Sequence, residues 1–302
     1  MRRGNNYPMK NVLFFDVEDW FQVDKLRSAV PRSRRKILPL RVEANTRRIL
    51  ALLRNHRTKA TSFFLCWVVE WCSQFVKDIK REGYEVVSHG YGHDLVYRLT
   101  AESLPADIHR FKQLLADSIG KPVLEYRALR FSIIHESIWA IDVLQEEGFK
   151  YDSSAFSVSL YDRYGFAERI TLPFCWQNGL LEIPLAVCKI RNVDLPVADG
   201  GCFRLFPHAY FKYLLRRLNT KRQRFMFYLH PWRLDPRQPR VRARSFFRCR
   251  HYVNLDETER GLSQLLTEFA FERVATAYNV TEEDGVQRSV RYTSTYANRA
   301  HY

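Results

Sequence analysis

The sequence predicts an α/β fold built on a parallel sheet or barrel, and three observations carry that prediction. Short β-prone apolar runs alternate with amphipathic helical stretches along the chain. Several runs break off in carboxylates or histidines, the pattern of buried parallel strands that deliver chemistry at their C-terminal ends. Glycine and proline stand where helices should stop or start. At 302 residues the chain can form one large α/β domain or two smaller ones. No internal repeat or linker divides it.

The first run, Asn11-Val12-Leu13-Phe14-Phe15, ends abruptly in Asp16-Val17-Glu18-Asp19-Trp20-Phe21. Strand alternation places Asp16 and Glu18 on one side and Asp19 on the other. Three acids beside Trp20 and Phe21 call for something positive to neutralise them; the plainer alternative is a surface acidic turn or a helix N-cap. A helix with Val42, Ile49, Leu52 and Leu53 on its apolar face is expected over residues 41–54, and a second strand over 60–65. A further helix over residues 67–81 is closed by Gly83.

Tyr84-Glu85-Val86-Val87 then reads as a buried strand leading into Ser88-His89-Gly90-Tyr91-Gly92-His93. Two imidazoles four residues apart, interleaved with glycines that permit a tight turn, suit half of a metal site. The same spacing would also place both rings on one helix face, or leave them as ordinary hydrogen-bonded histidines.

A helix over residues 100–119, stopped by Gly120, precedes the strand Val123-Leu124-Glu125-Tyr126. That strand leads to Arg127, and a helix over residues 136–147 leads to Tyr151-Asp152. Arg127 and Asp152, at the ends of successive strands, could form an ion pair that keeps a nearby carboxylate charged. Leu180-Leu181-Glu182-Ile183-Pro184-Leu185 is a further strand. Asp199-Gly200-Gly201-Cys202-Phe203-Arg204-Leu205 reads as a loop with close backbone approach, without the lysine and spacing of a phosphate-binding loop. A helix over residues 207–218 starts with Pro207, and Phe225-Met226-Phe227-Tyr228-Leu229 is a strongly apolar strand ending at His230-Pro231-Trp232. His230 is a candidate general acid, or a structural histidine. Residues 240–250 read as a basic loop, and Leu262, Leu265, Leu266 and Phe269 mark a closing helix.

A hydrophobic fraction of 46% excludes a disordered chain. Six cysteines without a Cys-x-x-Cys pair favour reduced thiols over disulfides or a cysteine–zinc site. The start lacks the apolar core of a signal peptide and no run is long enough to span a membrane, so a cytoplasmic location is the expectation. A net charge of +15 invites nucleic acid as a partner, but the arginines are scattered and no nucleic-acid motif is present. Surface solvation or steering of an anionic substrate is the preferred reading.

Taken together, Phe15-Asp16-Val17-Glu18-Asp19-Trp20-Phe21, residues 88–97 (SHGYGHDLVY), Tyr151-Asp152-Ser153-Ser154, Tyr228-Leu229-His230-Pro231-Trp232 and residues 250–255 (RHYVNL) resemble the polysaccharide deacetylases of carbohydrate esterase family 4. Within the family they are most similar to the subgroup encoded beside exopolysaccharide clusters. The resemblance runs over residues 12–269 and implies a deacetylase-like domain at 8–277, while the polar, aperiodic composition beyond it predicts a flexible tail at 278–302. It implies a distorted, seven-stranded (β/α) barrel, one divalent cation, usually zinc, and hydrolysis of N-acetyl groups on a polysaccharide or oligosaccharide.

By resemblance Asp16 is the general base, His230 the general acid, and His89 and His93 metal ligands. The third ligand is Glu18 or Asp19, with Glu18 preferred because relatives with an acid-x-acid pair use the second acid. Arg127 and Asp152 become the pair that orients Asp16; the Arg130 N–H holds the oxyanion; and Arg130, Tyr91 and Trp232 contact the sugar. Two segments depart from the family pattern. Leu129-Arg130 follows Arg127-Ala128 where Arg-x-Pro and then Ser are expected, and Gly200-Gly201-Cys202 replaces a longer glycine run. The alternatives are a metal-free C–N hydrolase of the same superfamily and a catalytically silent binder of anionic polymer.

Overall fold

The computed structural model describes residues 9–23, 26, 29–91, 94–155, 171–191, 193–241, 245–281 and 285–286. In its first half, β1 (Asn11–Val17) leads to α1 (Val42–Asn55), β2 (Thr61–Phe64), α2 (Cys66–Trp71), α3 (Ser73–Arg81) and β3 (Glu85–Ser88). The chain continues through α4 (Ser103–Ile119), β4 (Glu125–Tyr126), α5 (Ala140–Glu146), β5 (Tyr151–Asp152), β6 (Phe174–Cys175) and β7 (Leu181–Glu182). A hairpin of β8 (Val187–Ile190) and β9 (Val193–Pro196) precedes α6 (Gly200–Leu205), α7 (His208–Thr220) and β10 (Met226–Leu229). The last elements are α8 (Ser245–Tyr252), α9 (Thr258–Glu268), β11 (Phe271–Glu272), α10 (Val274–Tyr278) and the pair β12 (Val280–Thr281) and β13 (Gly285–Val286).

The main sheet is parallel, in the order β10-β1-β2-β3, with β11 pairing the start of β1. β1 is buried along its whole length because strands cover both its edges, which is why its sequence runs apolar without alternation. Register brings Phe15 opposite Leu229, Asp16 opposite Phe63, and Phe64 opposite Ser88. Asp16, His89 and His230 therefore leave neighbouring strands at one edge of the sheet. A second sheet has the order β4-β5-β7-β6, parallel except for the last strand.

The α/β class holds, but the expected closed seven-stranded barrel is not formed by the described strands. β3 and β4 touch without a ladder between them, and on the other side Asp199 makes a single parallel bridge to Tyr228. β4, β5 and β7 pair over only two residues each, which leaves too little edge to complete a ladder.

Several helix expectations change in detail. The stretch over 67–81 is broken at Cys72 (φ −134°, ψ 40°) into α2 and α3. The loop expected over 199–205 is instead α6 behind its cap, with the Asp199 side chain accepting from the Gly201 N–H. Close backbone approach is confirmed: a Cβ at Gly200 would lie 2.4 Å from Leu229 Cδ1. Half of the basic stretch over 240–250 belongs to α8. α4 stops as expected, with Gly120 left-handed at φ 70°. The expected tail falls mostly outside the described residues, its described part being the short β12–β13 pair. One core joins both sheets and their helices, and a small satellite of Trp20, Phe21, Val30 and Trp232 lies beside the site.

Candidate active site

The end of β1 places two carboxylates in a nearly dry environment. Asp16 Oδ1 lies 3.2 Å from Arg127 Nη1, with side-chain exposures of 3% and 1%. The Arg127 guanidinium sits among the rings of Phe14, Phe131, Tyr228 and Phe63, at 4.2, 4.4, 4.6 and 5.4 Å. That cage supplies π faces to a buried cation that water cannot reach. Burial lowers the Arg127 pKa and the Asp16 charge opposes the shift, so the guanidinium stays charged and offsets Asp16.

On the other face of Asp16 stands His230, which follows β10. Its Nε2 is 3.1 Å from Glu18 Oε1 and 3.7 Å from Asp16 Oδ2, so this nitrogen carries a proton when it bonds Glu18. The ring is 15% exposed and tilts against Trp232 at 5.3 Å. The acid and base candidates are thus adjacent, and the acid retains a path to solvent.

His89 leaves β3 and is buried, its Nδ1 3.1 Å from the Arg127 carbonyl oxygen. A carbonyl only accepts, so Nδ1 carries the proton and the lone pair is on Nε2. The same short segment is held from the opposite side, because the Ala128 N–H donates to Ser154 Oγ (2.7 Å) and Ser154 Oγ donates to Asp152 Oδ1 (2.6 Å).

The expected Arg127–Asp152 ion pair is corrected here: among the described residues Arg127 pairs with Asp16, while Asp152 sits beside Glu182. Burial pushes Asp152 up to about 6 despite the Ser154 hydrogen bonds. Burial and the neighbouring Asp152 raise Glu182 well above the usual carboxylate range. Two buried acids at adjacent strand ends oppose each other's ionisation. Glu182 was not singled out as a site residue, since a lone Glu in a short apolar run gives no local sign of the acid it will meet.

Asp19 takes a structural part. Its Oδ1 accepts from Trp20 N (2.8 Å) and its Oδ2 from Arg41 N (2.7 Å) and Val42 N (3.0 Å), so it caps the start of α1. Burial raises it to about 6 against those hydrogen bonds. Of the two acids considered for metal binding, Glu18 is the one facing His230.

Tyr91 is turned toward the helices. Its hydroxyl donates to Glu70 (2.6 Å) and its ring lies 3.8 Å under Arg110, a setting in which burial and Glu70 push it up to about 12. Trp232 is buried and stacks on His251 at 4.5 Å, which makes it a support for His230. Arg130 and Phe131 both have positive φ, 52° and 54°. Two successive left-handed residues without glycine mark a strained turn, directly after Leu129, which stands where the family pattern has proline.

The donors suit a divalent cation in kind. His89 supplies an imidazole held by Nδ1 to the Arg127 carbonyl, and Glu18 and Asp16 supply carboxylate oxygens. They are not gathered into a preformed cluster: among the described residues no three His, Cys, Asp or Glu side chains converge closely enough to hold an ion. The second expected imidazole, His93, lies outside the described residues.

Comparison with known proteins bears on the fold and on part of the sequence. The fold is shared with a Mycobacterium smegmatis structure assigned as a polysaccharide deacetylase, with TM-score 0.58 and 15% identity over 88% of this chain and 89% of that one. It is also shared with the PuuE allantoinase, with TM-score 0.54 and 16% identity over 88% and 87%. At such identities the likeness is one of fold. The sequence profile of the polysaccharide deacetylases matches residues 37–149, and a domain of unknown function, DUF3473, matches residues 153–279. A Helicobacter pylori peptidoglycan deacetylase is 32% identical over 114 residues, a stretch that covers 37% of this chain and 37% of that protein. Residues 37–149 are thus similar in sequence to the polysaccharide deacetylases, and the chain spans little more than a third of the length of the curated relative it matches. These matches do not single out the exopolysaccharide subgroup. Among the described residues no helix is long and apolar enough to cross a membrane.

Proposed function

We propose that the chain is a metal-dependent hydrolase that removes N-acetyl groups from N-acetylhexosamine units of a polysaccharide or its precursor. The observation that carries this reading is the meeting of Asp16, Glu18 and His230 at one sheet edge, with Arg127 buried behind Asp16. Glu18, His89 and His93 would hold the cation, zinc by preference. When bound, it polarises the amide carbonyl and acidifies water.

The remaining chemistry belongs to the chain. Asp16 takes a proton from the attacking water, and the Arg127 guanidinium behind it holds the carboxylate in place. The backbone N–H of Arg130, in the strained turn, would hold the developing oxyanion. His230, protonated on the nitrogen that faces Glu18, gives that proton to the departing amine as the C–N bond breaks. Acetate and a free amino sugar result. The six cysteines are free thiols, which suits a reducing compartment and supports a cytoplasmic location.

The test is acetate release from N-acetylated oligosaccharides by purified protein, before and after chelation and with zinc restored. Asp16→Asn and His230→Asn should each lower turnover by about 100-fold or more. No acetate from zinc-loaded wild type across a broad panel of substrates would overturn the reading; release unaffected by chelation would point instead to a metal-free C–N hydrolase.

A further inference from the structure

We propose that the cleft between the 240 segment and α8 is a subsite for an anionic group on the glycan, so that the preferred substrate is an acidic polysaccharide. This deepens the deacetylase reading and rests on it for the position of the reacting sugar. The cleft has a volume of about 490 Å³ and is lined by Arg240, Arg248, Cys249, Tyr252 and Val253. Arg240 lies 4.4 Å over the Tyr252 ring, and Arg248 is exposed. Among the described residues neither arginine has a carboxylate within 4.0 Å. Two guanidinium groups facing one cleft without an acid between them fit a carboxylate, sulfate or phosphate, which an arginine fork binds with two parallel hydrogen bonds.

The cleft is built rather than incidental. The Tyr252 hydroxyl donates to the Pro239 carbonyl and accepts from the Val241 N–H, both at 3.0 Å. Buried Arg204 donates to the carbonyls of Arg250, His251 and Val253, which fixes the end of α8. The nearby Asp199 is already engaged by Arg233 at 3.0 Å and Arg250 at 3.6 Å, and is held below the usual carboxylate range by them although burial alone would raise it.

A continuous column of rings joins the cleft to the candidate general acid. His230 tilts on Trp232 at 5.3 Å, Trp232 stacks on His251 at 4.5 Å, and His251 meets Tyr252 edge-on at 4.5 Å. A charged substituent a few sugars away from the acetamide would reach these arginines while the acetamide is at His230. Nucleic acid fits less well, because Arg240 covers the Tyr252 face and His251 meets its ring, leaving no open platform for a base.

The experiment is calorimetric titration of the full chain with a glucuronate–N-acetylglucosamine hexasaccharide and with the same hexasaccharide after its carboxyls are reduced to alcohols. Wild type should bind the acidic form about tenfold tighter or more. The double variant R240Q/R248Q should lose that preference, R240K/R248K should keep part of it, and R81Q, in α3, should keep all of it. Competition by inorganic phosphate but not acetate would assign the subsite to sulfate or phosphate esters, and the reverse to uronates.

Equal affinity for the two hexasaccharides, or a preference that survives R240Q/R248Q, would overturn the proposal. So would equal binding of a single-stranded oligodeoxynucleotide through the same arginines. An arginine-dependent preference without acetate release would remove the deacetylase reading and leave the subsite standing; acetate release from both sugars without preference would do the opposite.

Discussion

Arg127 lies 3.2 Å from Asp16, and both side chains are almost wholly excluded from solvent. Neither charge would persist there alone, because an isolated buried ion is far more costly than a paired one. Replacing Arg127 by Leu should destabilise the protein by about 3–5 kcal/mol in urea unfolding, by leaving the Asp16 charge uncompensated. In a double-mutant cycle with Asp16→Asn the two effects should fall short of additivity by about 1 kcal/mol or more. Strict additivity would mean that the pair is not coupled.

Glu18 and Asp19 are neighbours with different tasks. Asp19→Ala strips the cap from the N–H groups of Trp20, Arg41 and Val42 and should cost about 1–2 kcal/mol of stability. Zinc affinity should be little changed. Glu18→Gln should have the opposite profile, with stability near wild type and zinc binding weakened beyond the roughly 10–100-fold typical of outer-sphere changes. Equilibrium dialysis alongside urea unfolding separates the two; a reversed pattern would make Asp19 the ligand.

The Asp152–Glu182 pair should make stability depend on pH. Both folded-state pKa values are raised, Asp152 to about 6 and Glu182 well above its ordinary range. The native state therefore binds more protons than the unfolded chain between about pH 4 and those values. The contribution is complete below the unfolded pKa and is lost as pH rises through about 6 and beyond. Urea midpoints should fall from pH 5 to pH 8 in wild type. Glu182→Gln, which keeps a donor for Asp152 but has nothing to titrate, should flatten that slope, and an unchanged slope would place the titration elsewhere.

Gly200 begins α6 with no room for a side chain, since a Cβ there would meet Leu229 Cδ1 at 2.4 Å and Arg233 Cδ at 3.2 Å. Gly200→Ala should cost about 1–3 kcal/mol by overpacking. Because Leu229 immediately precedes His230, turnover should fall more than substrate affinity. Wild-type kinetics in this variant would show that β10 can shift without moving the histidine.

Much of this molecule was legible before any fold was known. The apolar runs of β1, β2, β3 and β10 gave their own positions, since a strand buried on both faces must be apolar throughout. The acids and histidines at their ends could be read because such residues are costly at the end of a buried strand without a purpose. Those features are local, set by a few successive residues, and they sufficed to suggest the family and to name Asp16, Glu18, His89, Arg127 and His230.

Partnership was a matter for the tertiary structure. Arg127 and Asp152 look like a pair along the chain, yet parallel packing gives Arg127 to Asp16 and Asp152 to Glu182. Asp19 stands in the sequence as the alternative to Glu18, and only the packing of α1 brings the Arg41 and Val42 N–H groups onto it. The arginines of the 240 segment and α8 read as a diffuse basic stretch until helix formation and the ring column set two of them over one cleft. Hydrogen bonds and ion pairs act over about 3–4 Å, and at that range the neighbour is decided by which strands and helices lie side by side, a relation that residues far apart in sequence acquire only when the chain has packed.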